Sequence, residues 1–198
     1  MRGLIKKLFI PAIIVGTLLS KNSFAQEKKE PVKKTYFSVA LDSYKDTDED
    51  VNERYGLIPG VKFGITTDIS KNKRIETSFS LFRKTGEIGN IGNSTMGIYL
   101  SDLSLFYVHH SKDKNNFAVY AGGGPAYVYA SESGEINFAG MNSRASLSGS
   151  GLGLKLSGGM EFSINKSLKG YAQLSTVPVV SGDLTNLKMS FLEAGIRF

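Results

Sequence analysis

The sequence of 198 residues has no cysteine and only two histidines, which lie side by side at His109 and His110. The lack of cysteine excludes a disulfide scaffold, a zinc-thiolate site and a cysteine nucleophile. Two adjacent histidines are too few for a histidine-rich metal site. Mean hydropathy is -0.11, and no long apolar run occurs outside the N-terminus, which excludes a polytopic helical membrane protein.

The first 25 residues have the pattern of a secretory signal peptide. A basic start that ends at Lys7 is followed by a mainly apolar stretch over residues 8–19 and by Ser-Phe-Ala at residues 23–25, which fits a cleavage site. The alternative is a retained membrane anchor, but the apolar stretch is much shorter than the roughly 20 residues that a spanning helix needs. We therefore predict that the chain is exported and that residues 1–25 are removed.

The basic balance of the full chain comes partly from this segment. Without its four basic residues the formal net charge falls from +6 to +2, since 20 basic residues then face 18 acidic ones. No concentrated basic face remains, so we predict no nucleic-acid partner. Residues 26–34 are polar and charged and predict a flexible lead-in, and residues 35–198 predict one domain.

From residue 35 onward, apolar and polar residues alternate with a period of two, which is the pattern of β-strands. Residues 37–41, Phe-Ser-Val-Ala-Leu, are a clear example. Eight such segments predict eight strands, and no segment after the signal has the period of a helix. Residues 117–130 and 168–177 alternate less clearly, and Gly-Gly-Gly-Pro at residues 122–125 predicts a bulge or a bend.

The connectors between these segments alternate in length. The short ones are rich in Asn, Lys and Ser, as tight turns require; they are residues 68–73, 111–116 and 165–167. The long ones are polar; they are residues 45–54, 85–96, 131–147 and 178–186. This rhythm predicts an eight-stranded antiparallel up-and-down barrel with short turns at one end and long loops at the other, as in outer-membrane barrels.

Alternation alone does not say which face of such a barrel points inward, because a soluble lipocalin-like barrel would bury the apolar face around a ligand. The polar face here consists mainly of Gly, Ser and single charges of both signs, which suits a narrow lumen. Aromatic residues near the strand ends fit membrane interfaces, although ordinary strand propensity also favours them. We therefore predict that the apolar face contacts lipid and that seven charged side chains form a neutralising network that plugs the lumen: Lys62, Glu76, Asp102, Lys155, Glu161, Glu193 and Arg197.

The C-terminus carries the most specific signal. Phe198 and Ile196 share the apolar face of the last strand, and the chain ends on this aromatic residue. This resembles the closing strand of bacterial outer-membrane barrels, whose terminal Phe is read by the barrel assembly machinery. Residues 120–129, Tyr-Ala-Gly-Gly-Gly-Pro-Ala-Tyr-Val-Tyr, are similar to the glycine-alternating strand before the third surface loop of the same proteins.

Over residues 35–198 the chain resembles the eight-stranded group that includes the transmembrane domain of outer-membrane protein A, outer-membrane protein X and the opacity surface proteins. The resemblance implies a transmembrane β-barrel in the outer membrane of a diderm bacterium, with both termini in the periplasm. It also implies contact with outer-membrane lipids and lipopolysaccharide, and assembly by the barrel machinery. The implied role is structural or one of surface interaction, in which the long loops meet host or other extracellular molecules.

An enzyme that modifies lipid A is the first alternative, because His109 and Ser111 form a His-x-Ser pair like that of outer-membrane lipid A deacylases. The pair precedes a short turn after the fourth strand, however, whereas the deacylase pair lies near the end of the seventh strand. A small porin-like channel is the second alternative. We predict no catalytic residue and no enzyme activity.

Two further motifs fail on their context. Asp46, Asp48 and Asp50 have the spacing of a calcium loop, but Val51 and Leu57 stand where an EF-hand needs Gly and Glu. The glycine pattern at residues 149–154 fits a dinucleotide fingerprint but lies inside a strand with no helix after it. We therefore predict no metal site and no cofactor.

Overall fold

The computed structural model describes residues 33–46, 49–88, 92–111, 116–138, 141–165, 167–185 and 187–198. The predicted signal peptide, residues 1–25, and most of the predicted lead-in lie outside these residues. The calcium-like spacing at Asp46, Asp48 and Asp50 also lies outside the described side chains.

Eight antiparallel strands form a closed barrel in which each strand pairs with the next and the last pairs with the first. The strands are β1 Lys34–Asp46, β2 Ile58–Ser70, β3 Lys73–Ile88, β4 Gly92–His110, β5 Phe117–Phe138, β6 Met141–Ser163, β7 Lys169–Gly182 and β8 Lys188–Arg197. The predicted fold is confirmed. We call the end that carries the β1–β2, β3–β4, β5–β6 and β7–β8 connections the loop end, and the other end the turn end.

Two of the predicted long loops are wrong. Residues 85–96 and 131–147 continue the strands, so that β3 reaches Ile88 and β5 reaches Phe138 before the chain turns back. Cross-strand pairing continues to Ile88↔Gly92 and Phe138↔Met141. Strands β3 to β6 therefore extend beyond the rest of the barrel at the loop end as a four-stranded sheet.

The β1–β2 connection also differs from the prediction. It contains a short helix, α1, at Glu49–Tyr55, although the sequence predicts no helix after the signal. Nowhere in the described part of the chain is there a helix with the length and apolar character needed to cross a membrane. Gly86 of β3 lies against the end of α1, where a Cβ atom would come within 2.6 Å of the Arg54 carbonyl oxygen.

Of the predicted bulge or bend at residues 122–125, the bulge is wrong: no register shift occurs there, although the pairing of β5 with β4 is interrupted at Gly124 and Pro125. The pairing of β5 with β6 is continuous from Phe117↔Phe162 to Phe138↔Met141, and the pairs of β5 with β4 on either side of these glycines share one register. The strands approach closely here, since a Cβ atom at Gly124 would lie 2.0 Å from the Leu103 carbonyl oxygen. The glycines thus serve close backbone contact rather than a change of register.

Apolar side chains cover the outside of the barrel, as predicted. Phe37 is 56% exposed, Leu154 46% and Leu192 56%. The side chains between them on the same strands point inward and are buried, for example Ser38 and Glu193. The apolar residues thus form a band around the outer wall, and we call it the apolar band.

Candidate functional site

The interior of the barrel contains a buried ionic network towards the turn end. Lys62 of β2 is fully buried and donates from Nζ to Glu76 Oε1 at 2.6 Å and to Glu193 Oε1 at 2.8 Å. Thr66 donates a further hydrogen bond to Glu76 Oε2. One buried lysine thus neutralises carboxylates from two other strands.

Glu161 of β6 is the second centre of this network. Its carboxylate accepts from Arg74 Nη1 at 2.6 Å, from Arg197 Nη1 at 2.8 Å and from Lys169 Nζ at 3.0 Å. Arg197 also donates from Nη2 to Glu76 Oε2 at 3.0 Å. Arg197 therefore links the two centres across the lumen.

Two tyrosine rings lie against this linking arginine. The guanidinium carbon of Arg197 lies 4.1 Å from the ring centroid of Tyr171 and 5.2 Å from that of Tyr120. Arginine stacks favourably on aromatic faces while its N–H groups remain directed at carboxylates. This packing holds the side chain of Arg197, the last residue of β8, inside the lumen.

A separate pair lies nearer the middle of the barrel. Lys155 Nζ donates to Asp102 Oδ2 at 2.9 Å, and both residues are buried. Ser78 donates to the same carboxylate oxygen, and Ser104 donates to Oδ1 at 2.9 Å. The hydroxyls occupy the acceptor sites of Asp102 that the lysine leaves open.

The structure thus places all seven charged residues named from the sequence inside the barrel and brings them into contact in two groups. Sequence reasoning missed Arg74 and Lys169, which complete the shell of cations around Glu161. Period-two alternation puts Arg74 on the face of Glu76, so that the signal for this residue was present.

The loop-end half of the interior is apolar, so the prediction of a lumen lined by Gly, Ser and charges is wrong for this half. Tyr44, Phe82 and Phe191 pack together, with ring centroids 5.3 to 6.2 Å apart. The buried side chains of this layer, which we call the apolar plug, are Tyr44, Tyr55, Ile58, Phe82, Ile98, Leu100, Ala126, Val128, Val177, Val179, Met189 and Phe191.

Helix α1 closes the apolar plug at the loop end. Tyr55 inserts into the plug, and its hydroxyl bonds to Ser94 and donates to Glu132 Oε1 at 2.7 Å. Arg54 Nη1 donates to the same Glu132 oxygen at 2.8 Å. Burial disfavours the charged Glu132 carboxylate, but the hydrogen bonds from Ser94, Tyr55 and Arg54 outweigh burial and lower its pKa. We call this group the helix latch.

In the part of the chain that the structure describes, no strand pairs with the extension of β6 on its β7 side. Strand β6 pairs with β7 only from Gly151 onward, and residues 143–148 are all exposed. Ser150 directs its backbone towards the β7 side, since its carbonyl accepts from Asp183 N at 2.8 Å. Alternate residues of a strand direct N–H and C=O to the same side, so Arg144, Ser146 and Ser148 present theirs at the unpaired edge. We call residues 143–148 the free edge.

The remaining predicted residues take simple positions. Phe198 is 53% exposed and Ile196 43%, both on the outer wall, and the backbones of Phe198 and Phe37 exchange two hydrogen bonds. His109 and His110 are exposed at the turn end, and His110 Nε2 lies 3.0 Å from the Lys71 carbonyl oxygen. Within the described residues no group of three or more His, Cys, Asp or Glu side chains has the arrangement of a metal site.

No protein-family model matches the chain, and no curated protein sequence matches it. Solved structures do match. The attachment invasion locus protein Ail of Yersinia pestis is 15% identical, with a TM-score of 0.52 over 84% of this chain and 97% of Ail. Neisserial surface protein A is 13% identical, with a TM-score of 0.55 over 84% of this chain and 98% of that protein.

A major outer-membrane protein from Thermus thermophilus is 11% identical, with a TM-score of 0.58 over 83% of this chain and 99% of that protein. At these identities the likeness concerns the fold. It confirms that the chain has the architecture of the eight-stranded outer-membrane β-barrels.

Proposed function

We propose that this protein is a non-catalytic outer-membrane barrel that binds an extended segment of another protein at the free edge of β6. The barrel anchors the chain in the membrane, and the extension of β3 to β6 carries the binding edge outside it. The observation that carries this proposal is the unpaired edge at residues 143–148.

The membrane location is supported by the outer wall. Exposed apolar side chains encircle the barrel, whereas charged groups such as Lys62 and Lys155 point inward and form ion pairs. A closed barrel satisfies every strand edge within the hydrocarbon layer, where an unpaired backbone group costs several kcal/mol. The free edge lies beyond the apolar band, so that its backbone groups face water and remain available.

Strand addition is the recognition mode that an unpaired edge supports. Three residues, Arg144, Ser146 and Ser148, offer donors and acceptors to an incoming strand. Their side chains are short or flexible, and the single charge among them is paired, since Arg144 Nη2 lies 2.5 Å from Glu135 Oε1. Exposed edges are usually blocked by charged side chains or proline; residues 143–148 contain no proline, and their single charge, Arg144, is neutralised by Glu135.

The filled interior favours this role over that of a channel. Along the barrel axis, the ionic network is followed by the Lys155–Asp102 pair and then by the apolar plug. An eight-stranded wall encloses only enough space for side chains. This sequence of layers leaves the loop-end surface as the part of the molecule able to meet a partner.

The test uses the full chain in lipid nanodiscs and a synthetic decapeptide of alternating Thr and Val as a generic extended strand. We expect the peptide to bind and to slow amide exchange at residues 144, 146 and 148. Ser146→Pro removes one edge donor and blocks the approach of a strand, so it should weaken binding about tenfold or more.

Ser146→Ala is the matched control, because it keeps the backbone donor and should bind like the wild type. The same peptide with N-methyl groups on alternate residues should not bind. Equal binding by Ser146→Pro and Ser146→Ala, or binding that leaves these three amides unprotected, would refute strand addition.

A further inference from the structure

A groove of about 730 Å³ lies on the outer wall where strands β1 to β5 leave the apolar band at the loop end. Its lower rim is a cross-strand row, in which Leu41 pairs with Val61, Val61 with Leu81, and Leu81 with Tyr99. Leu41 is 75% exposed and Val61 38%. This rim is an apolar surface that faces outward.

The row directly above this rim is polar. Arg83 pairs with Gly97, and Gly97 pairs with Ser131. Thr95 and Ser133, which pair with each other, form the next row. One guanidinium group and three hydroxyl groups thus stand above an apolar rim, all on the outer face of the wall.

Gly97 gives the groove its depth. A Cβ atom at this position would have one neighbour within 4 Å, the Ser131 hydroxyl at 3.3 Å. The missing side chain therefore leaves a notch between Arg83 and Ser131, with the strand backbone as its floor. The notch lies above Tyr99 and Tyr129, whose ring centroids are 5.8 Å apart and whose position suits the membrane interface.

Arg83 supplies positive charge that is not neutralised nearby. Its side chain is exposed on the groove wall, and among the described residues it makes no ion pair. Glu135 is paired with Arg144, and Glu132 is held by Arg54 and Tyr55 in the helix latch. An arginine with a free planar fork binds phosphate oxygens bidentately, and neighbouring hydroxyl groups can donate to the remaining oxygens.

We propose that this groove binds the phosphate group of a phosphorylated lipid in the loop-side leaflet, with an acyl chain on the apolar rim. Arg83 and the hydroxyls of Ser131 and Ser133 hold the phosphate, and Leu41, Val61 and Leu81 contact the chain. The inference depends on the membrane location proposed above and is independent of strand addition at the free edge.

The experiment is native mass spectrometry of the full chain released from nanodiscs that contain lipid A with both phosphates or the same lipid A with its phosphates removed. We expect the wild type to retain the phosphorylated lipid about tenfold better, which corresponds to about 1.4 kcal/mol. Arg83→Gln should abolish most of this preference. Gly97→Val, which fills the notch and keeps Arg83, should do the same.

Lys73→Gln is the control, because it removes an exposed cation at the turn end, outside the groove, and should leave the preference unchanged. Equal retention of both lipids, an unchanged preference in Arg83→Gln, or complete displacement by excess inorganic phosphate would overturn the groove. Failure of every variant to enter the nanodisc would instead overturn the membrane location, so that the two failures are distinguishable.

Discussion

The two halves of the barrel interior solve the same packing problem by different means. The turn-end half fills most of the lumen with charged side chains that neutralise one another, as Lys62 does for Glu76 and Glu193, beside a small apolar cluster around Phe106 and Tyr120. The loop-end half fills it with the apolar plug. A buried charge is tolerated only when its partners are complete, whereas an apolar layer depends on volume. The two halves should therefore respond differently to substitution.

The largest effect is expected from removing one partner of the ionic network. Lys62→Ala leaves Glu76 and Glu193 buried without their shared cation, and uncompensated buried charge costs about 3–5 kcal/mol. The free energy of unfolding, measured in lipid vesicles from urea titrations read by gel mobility, should fall by about that amount.

A combined variant provides the control for this loss. Lys62→Met with Glu193→Gln removes one cation and one anion together and leaves Glu76 paired with Arg197, so we expect it to recover much of the lost stability. If Lys62→Ala alone costs no more than an exposed substitution such as Lys73→Ala, the turn-end half is not held by charge pairing.

A slightly smaller effect is expected in the apolar plug. Phe82→Ala removes a ring that contacts both Tyr44 and Phe191, and large cavities in a packed core cost about 3 kcal/mol or more. Phe82→Leu should recover part of the loss, because it restores volume. The same urea titrations measure the free energy of unfolding of both variants. If a change of charge elsewhere in the lumen restored the stability of Phe82→Ala, the distinction between the two halves would be contradicted.

The hydroxyl of Tyr55 should have a smaller effect. Tyr55→Phe keeps the ring in the plug but removes the hydrogen bonds to Ser94 and Glu132, with an expected cost of about 1 kcal/mol. Faster amide exchange in α1, without change in the barrel strands, is the expected signature. Tyr99→Phe on the outer wall is the matched control and should leave α1 unchanged.

The smallest effect concerns the exposed part of the helix latch. Hydrogen bonds lower the pKa of Glu132. The stabilisation that the charged carboxylate gives to α1 is therefore present at pH values above the ordinary carboxyl pKa and is lost as the pH falls through the lowered pKa. Arg54 is partly exposed, so Arg54→Gln should cost less than about 1 kcal/mol. Amide exchange of α1 should become faster below about pH 4 in the wild type, and Glu132→Gln should remove this pH dependence.

The comparison of the two halves also shows what the sequence reveals. At the turn end, strands β3, β6 and β8 have apolar residues facing outward and polar ones facing inward, so alternation placed Glu76, Glu161 and Arg197 correctly on the inner face. At the loop end, both faces of β4 are apolar, as in Ile98-Tyr99-Leu100. Alternation carries no signal there, which is why the apolar plug was missed.

The extension of β3 to β6 was missed for a different reason. Residues 131–147 are rich in Ser, Gly and Asn, a composition that is typical of loops. They become strands because residues 131–138 pair with β6 and, as far as Ile136, with β4. Such cross-strand pairing is a property of the assembled sheet and is not visible in local composition, whereas the barrel itself was predictable from eight periodic segments.

The central claim is that the lumen is closed by two complementary layers, so that the protein acts through its loop-end surface and outer wall. Planar-bilayer recordings of the full chain test this most directly. The account predicts no steady conductance for the wild type. A steady wild-type current that changes in Lys155→Ala or Glu161→Ala variants would contradict it, because ions would then be passing the charges that we describe as a plug.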